Sequence, residues 1–206
     1  MNIVLLGAQG AGKGMVSNYL SNNYEFNHIS TGELLRSEIS KQTGLGRELA
    51  SYMNKGLLVP DEKVFSVLEN ALKASRNNII DGFPRNMAQA EKLSELTNVD
   101  LVIFVDVPKD MLIERLSARR FCPKCKENYS LLTYNSNVCD KCGVTLVQRE
   151  DDVADAINKR LEIFYQNIES ILNFYKEKKV LQKLDNTGSL TQTYSELEKI
   201  IKQYIK

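Results

Sequence analysis

Residues Gly7 to Met15 read GAQGAGKGM, four glycines and one lysine within nine positions. Glycine lets the backbone adopt positive φ and come close to a ligand. Such a loop ahead of a helix turns several N–H groups toward one anion, and Lys13 adds a full positive charge. The spacing from Gly7 to Gly12-Lys13 fits the phosphate-cradling pattern G-x-x-x-x-G-K-[ST], but Gly14 stands where that pattern ends on a hydroxyl. The loop follows the apolar NIVLL and precedes MVSNYLSNNY, a strand–loop–helix context that separates a nucleotide phosphate site from a mere tight turn.

A second constellation is thiol-based. CPKC (Cys122, Cys125) and CDKC (Cys139, Cys142) are two knuckles separated by 13 residues. Paired C-x-x-C units each offer two thiolates from a tight turn and suit a closed, tetrahedral structural Zn²⁺ site, iron being the other candidate. Disulfides are the alternative, and a reducing compartment disfavours them. With all four positions committed, no coordination site is left open for catalysis.

The third set is arginine. Arg85 follows a strand end in DGFPR, the position where ligands sit in open α/β sheets. Arg36 lies one turn into STGELLR, whose Ser30 and Glu33 are spaced as a capping box. Arg115 and Arg119, four apart in MLIERLSARR, are expected to share a helix face. Arg149 and Arg160 flank the start of a long helix, with Asp151 and Asp152 placed to orient them or to cap that helix. A guanidinium fork binds phosphate in two-pronged fashion, which a lysine cannot do.

These groups need a scaffold. The 206-residue chain is 43% hydrophobic and 26% charged with a formal net charge of +1, so it can bury a core and has no global attraction to nucleic acid or anionic membrane. Its apolar runs are too short for a membrane helix and no targeting segment is visible, which predicts a cytoplasmic protein. Short apolar runs (NIVLLG, FNHIS, NNIIDG, LVIFVDV, VLQKLD) alternate with helix-period segments, predicting an α/β fold with a mainly parallel sheet. Asp61, after Pro60, is the expected N-cap of a helix with Val64, Val67, Leu68, Ala71 and Leu72 on its apolar side. A longer helix is expected from about Asp152, striped by Val153, Ile157, Leu161, Phe164, Ile168, Leu172 and Tyr175, and a last helix follows Gly188. From Phe121 to Gln148 the helical period vanishes, which marks a small inserted domain. The single histidine, His28, is expected on a strand near the site, without a catalytic task.

Taken together, GAQGAGKG, ISTGELLR, DGFPRNMAQ and REDD, in this order and over almost the whole chain, resemble the adenylate kinase family. The resemblance implies a P-loop nucleoside monophosphate kinase fold: a five-stranded parallel sheet covered by helices. It divides the chain into a core (1–29, 60–120 and 153–206), an AMP-binding helical insertion (30–59) and a zinc-bearing lid (121–152). It implies Mg²⁺-dependent phosphoryl transfer from ATP to AMP giving two ADP, by a monomer. The family usually has Pro where this chain has Gln9, and Thr where it has Met15, so one hydrogen bond to the phosphates is expected to be missing.

By the same resemblance, ATP is held by Gly10, Ala11, Gly12, Lys13, Gly14, Met15, Arg115, Arg119 and Gly188. AMP is held by Thr31, Arg36, Leu57, Val59, Gly82, Arg85, Gln89, Arg149 and Arg160, with Thr31 and Gln89 on the base. Lys13, Arg85, Arg119, Arg149 and Arg160 meet the transferred phosphoryl group, and Asp81 is the acidic partner of Mg²⁺ through water. The zinc ribbon becomes a flap closing over ATP. Two other functions fit parts of this pattern: a kinase of a different nucleoside monophosphate, and a nucleotide-binding zinc protein whose Met15 marks lost chemistry. A basic ribbon can also bind nucleic acid, but that reading leaves Arg36, Arg85 and Gln89 unexplained.

Overall fold

The computed structural model describes residues 1–73 and 77–205. Strand β1 (Asn2–Leu6) runs into the glycine loop and helix α1 (Lys13–Tyr24), followed by β2 (Asn27–Ser30), α2 (Thr31–Ser40), α3 (Gly44–Met53) and α4 (Asp61–Lys73). Next come β3 (Asn78–Asp81), α5 (Met87–Leu96), β4 (Leu101–Asp106) and α6 (Lys109–Ser117). The short strands β5 (Arg119–Phe121) and β6 (Asn128–Ser130) precede α7 (Ala154–Glu177), β7 (Leu181–Asp185) and α8 (Leu190–Ile201).

The main sheet has five strands in the order β2-β3-β1-β4-β7, every pairing parallel. Its core follows from the two-residue period of a strand. Ile3, Leu5, Ile79, Leu101 and Ile103 pack into one apolar cluster, while Val4, Leu6, Ile80 and Val102 pack into another on the opposite face. Helices cover both faces, so β1 and β4 read as nearly unbroken apolar runs. Strand β1 is central: the chain leaves it toward β2 and β3 on one side and later adds β4 and β7 on the other. Ligand crevices form where the connections diverge in this way, beyond the carboxyl ends of the strands.

Residues 30–59 hold α2 and α3, whose N-caps Ser30 and Thr43 accept from the backbone N–H groups of Glu33 and Gly46. The cysteine ribbon opens at Arg119, two residues before the span drawn from sequence: β5 pairs antiparallel with β6, and bridges join Phe121 to Val147 and Val138 to Thr145. The ribbon has its own small cluster of Cys122, Cys139 and Leu146, separate from the two clusters of the main sheet. Positions 74–76 and 206, inside the core spans drawn from sequence, lie outside the described residues.

Three local expectations are corrected. Helix α6 stops at Ser117, and Arg119 opens β5, so Arg115 and Arg119 do not share a helix face. Asp61 is the first residue of α4, and its carboxylate accepts from the side chains of Asn86 and Gln89 instead of standing outside as an N-cap. Of the two roles expected for Asp151 and Asp152, they take the first, facing arginines; the N-cap of α7 is Val153, with no side-chain cap bond. Val153 is also half exposed and falls outside the apolar stripe of α7.

Candidate active site

A cleft of about 1000 Å³ opens above the carboxyl ends of β1 and β3, walled by the glycine loop, α2, the start of α7 and the cysteine ribbon. Gly10, Gly12, Lys13, Gly14, Met15 and Gly188 line its floor; Arg36, Arg85, Arg115, Arg119, Arg149 and Arg160 reach it from six different elements or loops. Of the residues expected at the phosphates, Ala11 alone does not line the cleft: its side chain is in the core.

The loop is held from behind. Gly10 and Gly12 sit at φ 86° and 96°, which glycine alone adopts without strain. A Cβ on Gly12 would lie 2.3 Å from Asn186 Nδ2. That nitrogen donates to the Ala11 carbonyl at 2.7 Å, and Asn186 Oδ1 accepts from Thr193 at 3.0 Å. The Asn186 carbonyl accepts from Arg115 at 2.8 Å. Asn186 therefore couples the loop, β7, α8 and Arg115. Sequence reasoning passed over it; the only signal is a buried-type amide at a strand end, in LDNTG.

Lys13 Nζ donates to the carbonyls of Gly7 and Ala8, each at 2.9 Å, which holds the ammonium in the loop. Burial pushes it down to about 8; Asp81 opposes the shift, while Arg85, Arg119 and Arg160 add to it. Burial alone would raise the Asp81 carboxyl, yet His28, Lys13 and Arg85 hold it below its ordinary value. His28 Nε2 lies 3.6 Å from Asp81 Oδ2, on β2 beside the cleft.

The arginines are fixed by acceptors on neighbouring segments. Arg119 donates to both carboxylate oxygens of Asp152, from Nε at 2.7 Å and from Nη2 at 2.5 Å. Arg160 donates to Asp152 Oδ1 at 3.1 Å and to the Asp151 carbonyl at 2.8 Å. Arg85 Nε donates to the Gly82 carbonyl at 2.7 Å, and Arg149 donates to Asn128 Oδ1 at 2.7 Å across the ribbon. Burial lowers Arg85 to about 10 and Arg149 to about 9, with neighbouring arginines adding to the effect and the aspartates opposing it. Both remain cations at neutral pH, but crowded ones, and an entering phosphate relieves that crowding.

A second, narrower pocket of about 30 Å³ adjoins the cleft at Gly82 and Arg85, and it holds Thr31, Leu57, Val59 and Gln89. Its volume is about that of one water, so a purine enters only if the surrounding walls move apart. Gln89 is 1% exposed, not on an open helix face. Thr31 Oγ1 donates to the Asp81 carbonyl at 3.1 Å.

The four thiol sulfurs of Cys122, Cys125, Cys139 and Cys142 lie within 4.8 Å of one another, with none in a disulfide. A tetrahedral Zn²⁺ with bonds of about 2.3 Å sets its sulfurs a little under 4 Å apart, and the Cys125–Cys139 separation is 3.6 Å. The donor set fits such a metal. Gln9 is a further residue the sequence left without a role: it lines the cleft, and its Oε1 is buried without a hydrogen-bond partner.

Comparison with known proteins agrees with this arrangement. The family model described as adenylate kinase matches residues 5–180. Adenylate kinases of Clostridium perfringens and Clostridium tetani are each 37% identical to the chain over 212 aligned positions, covering 98% of the chain and 98% of the relative. That of Thermoanaerobacter sp. is 36% identical over the same span, again with 98% of each covered. With the glycine loop, the arginine-lined cleft and the relatives' full-length match in agreement, the chain belongs to the adenylate kinase family.

Proposed function

We propose that this cleft catalyses reversible, Mg²⁺-dependent transfer of a phosphoryl group from ATP to AMP, giving two ADP. The observation that carries the reading is the convergence of Lys13 and six arginines on one cleft floored by the glycine loop. The attacking group is a phosphate oxygen, ionised at neutral pH, so the site has no need of a general base. What it must supply is alignment and a field that stabilises the charge spread over the transferred group.

ATP phosphates lie on the N–H groups of Gly10 to Met15 with Lys13 among them, and Arg115, Arg119 and Gly188 complete the ATP site. AMP phosphate is taken by Arg36 and Arg85, and its base by the narrow pocket of Thr31, Leu57, Val59, Gly82 and Gln89. Arg119, Arg149 and Arg160 meet the phosphoryl group in transit, Arg119 and Arg160 held by Asp151 and Asp152 and Arg149 by Asn128. Asp81 would hold Mg²⁺ through water beside the nucleotide phosphates, where the ion would neutralise charge on the phosphate oxygens. In the ribbon, Cys122, Cys125, Cys139 and Cys142 would hold a structural Zn²⁺, which would reinforce a core of only three buried side chains, two of them ligands. Ribbon closure excludes water from the reacting phosphates and suppresses hydrolysis.

Four thiols committed to a metal suit a reducing, cytoplasmic setting, and no helix among the described residues is long and apolar enough to cross a membrane. We read the enzyme as a monomer, as the family resemblance implies. The test is ADP formation from ATP with AMP, GMP, CMP or UMP as acceptor, in the native chain and in Met15→Thr. Turnover selective for AMP is expected, rising about tenfold or more in Met15→Thr through a restored hydrogen bond to charged oxygens. Silence with all four acceptors in both proteins overturns the reading.

A further inference from the structure

The side chain of Gln89 is gripped at both ends. Its Oε1 accepts from the backbone N–H of Arg85 at 2.7 Å, and its Nε2 donates to Asp61 Oδ1 at 2.6 Å. Asn86 secures the same corner: its Nδ2 lies 3.2 Å from each oxygen of Asp61, and its Oδ1 accepts from the Gln89 N–H at 2.8 Å. A backbone N–H only donates and a carboxylate only accepts, so these two partners permit one orientation of the amide. Inverting it would set N–H against N–H and oxygen against oxygen, within a residue that is 1% exposed.

The committed amide retains one free lone pair on Oε1 and one free N–H on Nε2. Its outward pattern is therefore an acceptor next to a donor. The edge of a 6-aminopurine offers the complement, a donor at N6 and an acceptor at N1. The edge of a 6-oxopurine offers the reverse, an acceptor at O6 and a donor at N1. An inverted amide would suit the 6-oxopurine.

We propose that Asp61 is a specificity-determining positioning residue: by fixing the orientation of the Gln89 amide it makes the acceptor pocket select a 6-aminopurine monophosphate over a 6-oxopurine one. The proposal rests on the reading that Gln89 faces the acceptor base. Asp61 does not touch the base itself; it acts through Gln89. A site whose buried polar group is left mispaired rejects the wrong ligand strongly.

The experiment compares kcat/KM for AMP with that for IMP, at saturating Mg-ATP, in the native enzyme and in Asp61→Leu, Asp61→Ala and Asp61→Asn. IMP differs from AMP only at the edge concerned. Melting curves establish which variants are folded. The native enzyme is expected to favour AMP strongly. In Asp61→Leu, or in Asp61→Ala if the leucine variant does not fold, the AMP:IMP ratio falls at least tenfold, chiefly through KM of the acceptor, with KM for ATP unchanged. Asp61→Asn keeps an oxygen for Gln89 Nε2 and retains most of the ratio. A ratio unchanged in the folded leucine or alanine variant overturns the proposal, as does an equal decline with AMP and IMP. An Asn variant as unselective as the leucine one also overturns it, because the effect then belongs to charge at the start of α4. A native enzyme indifferent between AMP and IMP would instead overturn the underlying reading of the acceptor pocket.

Discussion

Arg119 and Asp152 face each other in a two-pronged ion pair, 2.7 and 2.5 Å, in which the carboxylate is fully buried and the guanidinium is 19% exposed at the cleft. The same carboxylate holds Arg160 at 3.1 Å. One aspartate therefore orients two cations that would otherwise repel. Asp152→Ala leaves both without their common acceptor. The expected result is a fall in kcat of about 100-fold, the scale of a misplacement near 1 Å, with a weaker effect on KM. Steady-state kinetics check it, and a kcat within threefold of the native value would remove Asp152 from the positioning role.

Lys13 supplies the pH dependence. With burial and the neighbouring arginines lowering it to about 8, the free enzyme loses this charge as pH rises through that value. Bound phosphates favour the charged form, so ATP must bring a proton with it above pH 8. The expected profile is kcat/KM for ATP declining about tenfold per pH unit above the break, while kcat stays flatter. Lys13→Arg, which does not titrate in this range, lowers the rate and abolishes the break. Stability moves the other way. From about 8 to the ordinary lysine value of 10.5 the unfolded chain holds the proton more tightly than the folded one, so the cost of burying Lys13 shrinks as pH rises.

What the sequence disclosed depended on how local the cause was. The glycine loop, the alternating elements and the cysteine pairs are set by spacing within a few residues, and period and turn chemistry reveal them directly. Arg119 looked helical because i,i+4 spacing from Arg115 is a local rule. Its actual position on β5 comes from pairing with Ser130 across the ribbon. Asp61 after Pro60 carried the local mark of an N-cap, but Asn86 and Gln89, more than twenty residues on, claim its carboxylate. Asn186 shows the limit most plainly: its partner Ala11 is 175 residues away in sequence, and nothing near LDNTG announces the contact.

Metal removal separates the ribbon from the rest of the fold. The ribbon's cluster of Cys122, Cys139 and Leu146 shares no residue with the clusters that pack the main sheet. Elemental analysis is expected to find one zinc per chain, lost on strong chelation and in Cys139→Ser. The stripped protein should keep its sheet, read by circular dichroism, and lose order in residues 121–152. Trypsin at Lys124, Lys126 and Lys141 then cuts at least tenfold faster, and kcat/KM for ATP falls with it. Equal cleavage rates with and without metal would show that the ribbon folds on its own.

Gly12 and Gly14 are two glycines of one loop with opposite demands. Gly14 is helical and a Cβ there meets nothing within 4 Å. Gly14→Ala should therefore stabilise the fold by about 0.5–1 kcal/mol through the lower entropy of alanine in a helix. At Gly12 the φ of 96° is left-handed, and a Cβ would sit 2.3 Å from Asn186 Nδ2. Gly12→Ala costs about 1–2 kcal/mol of backbone strain and about 1 kcal/mol for the displaced Asn186–Ala11 hydrogen bond. Unfolding in urea is expected to show a loss of about 2–3 kcal/mol. Because Asn186 also holds Arg115, kcat/KM for ATP should drop by about 100-fold or more. Removing the obstructing amide isolates the cause: Gly12→Ala combined with Asn186→Ala should cost less than the sum of the single changes, with a coupling of about 1 kcal/mol. Strict additivity would mean that backbone strain alone penalises Gly12→Ala and that Asn186 is not the strut behind the loop.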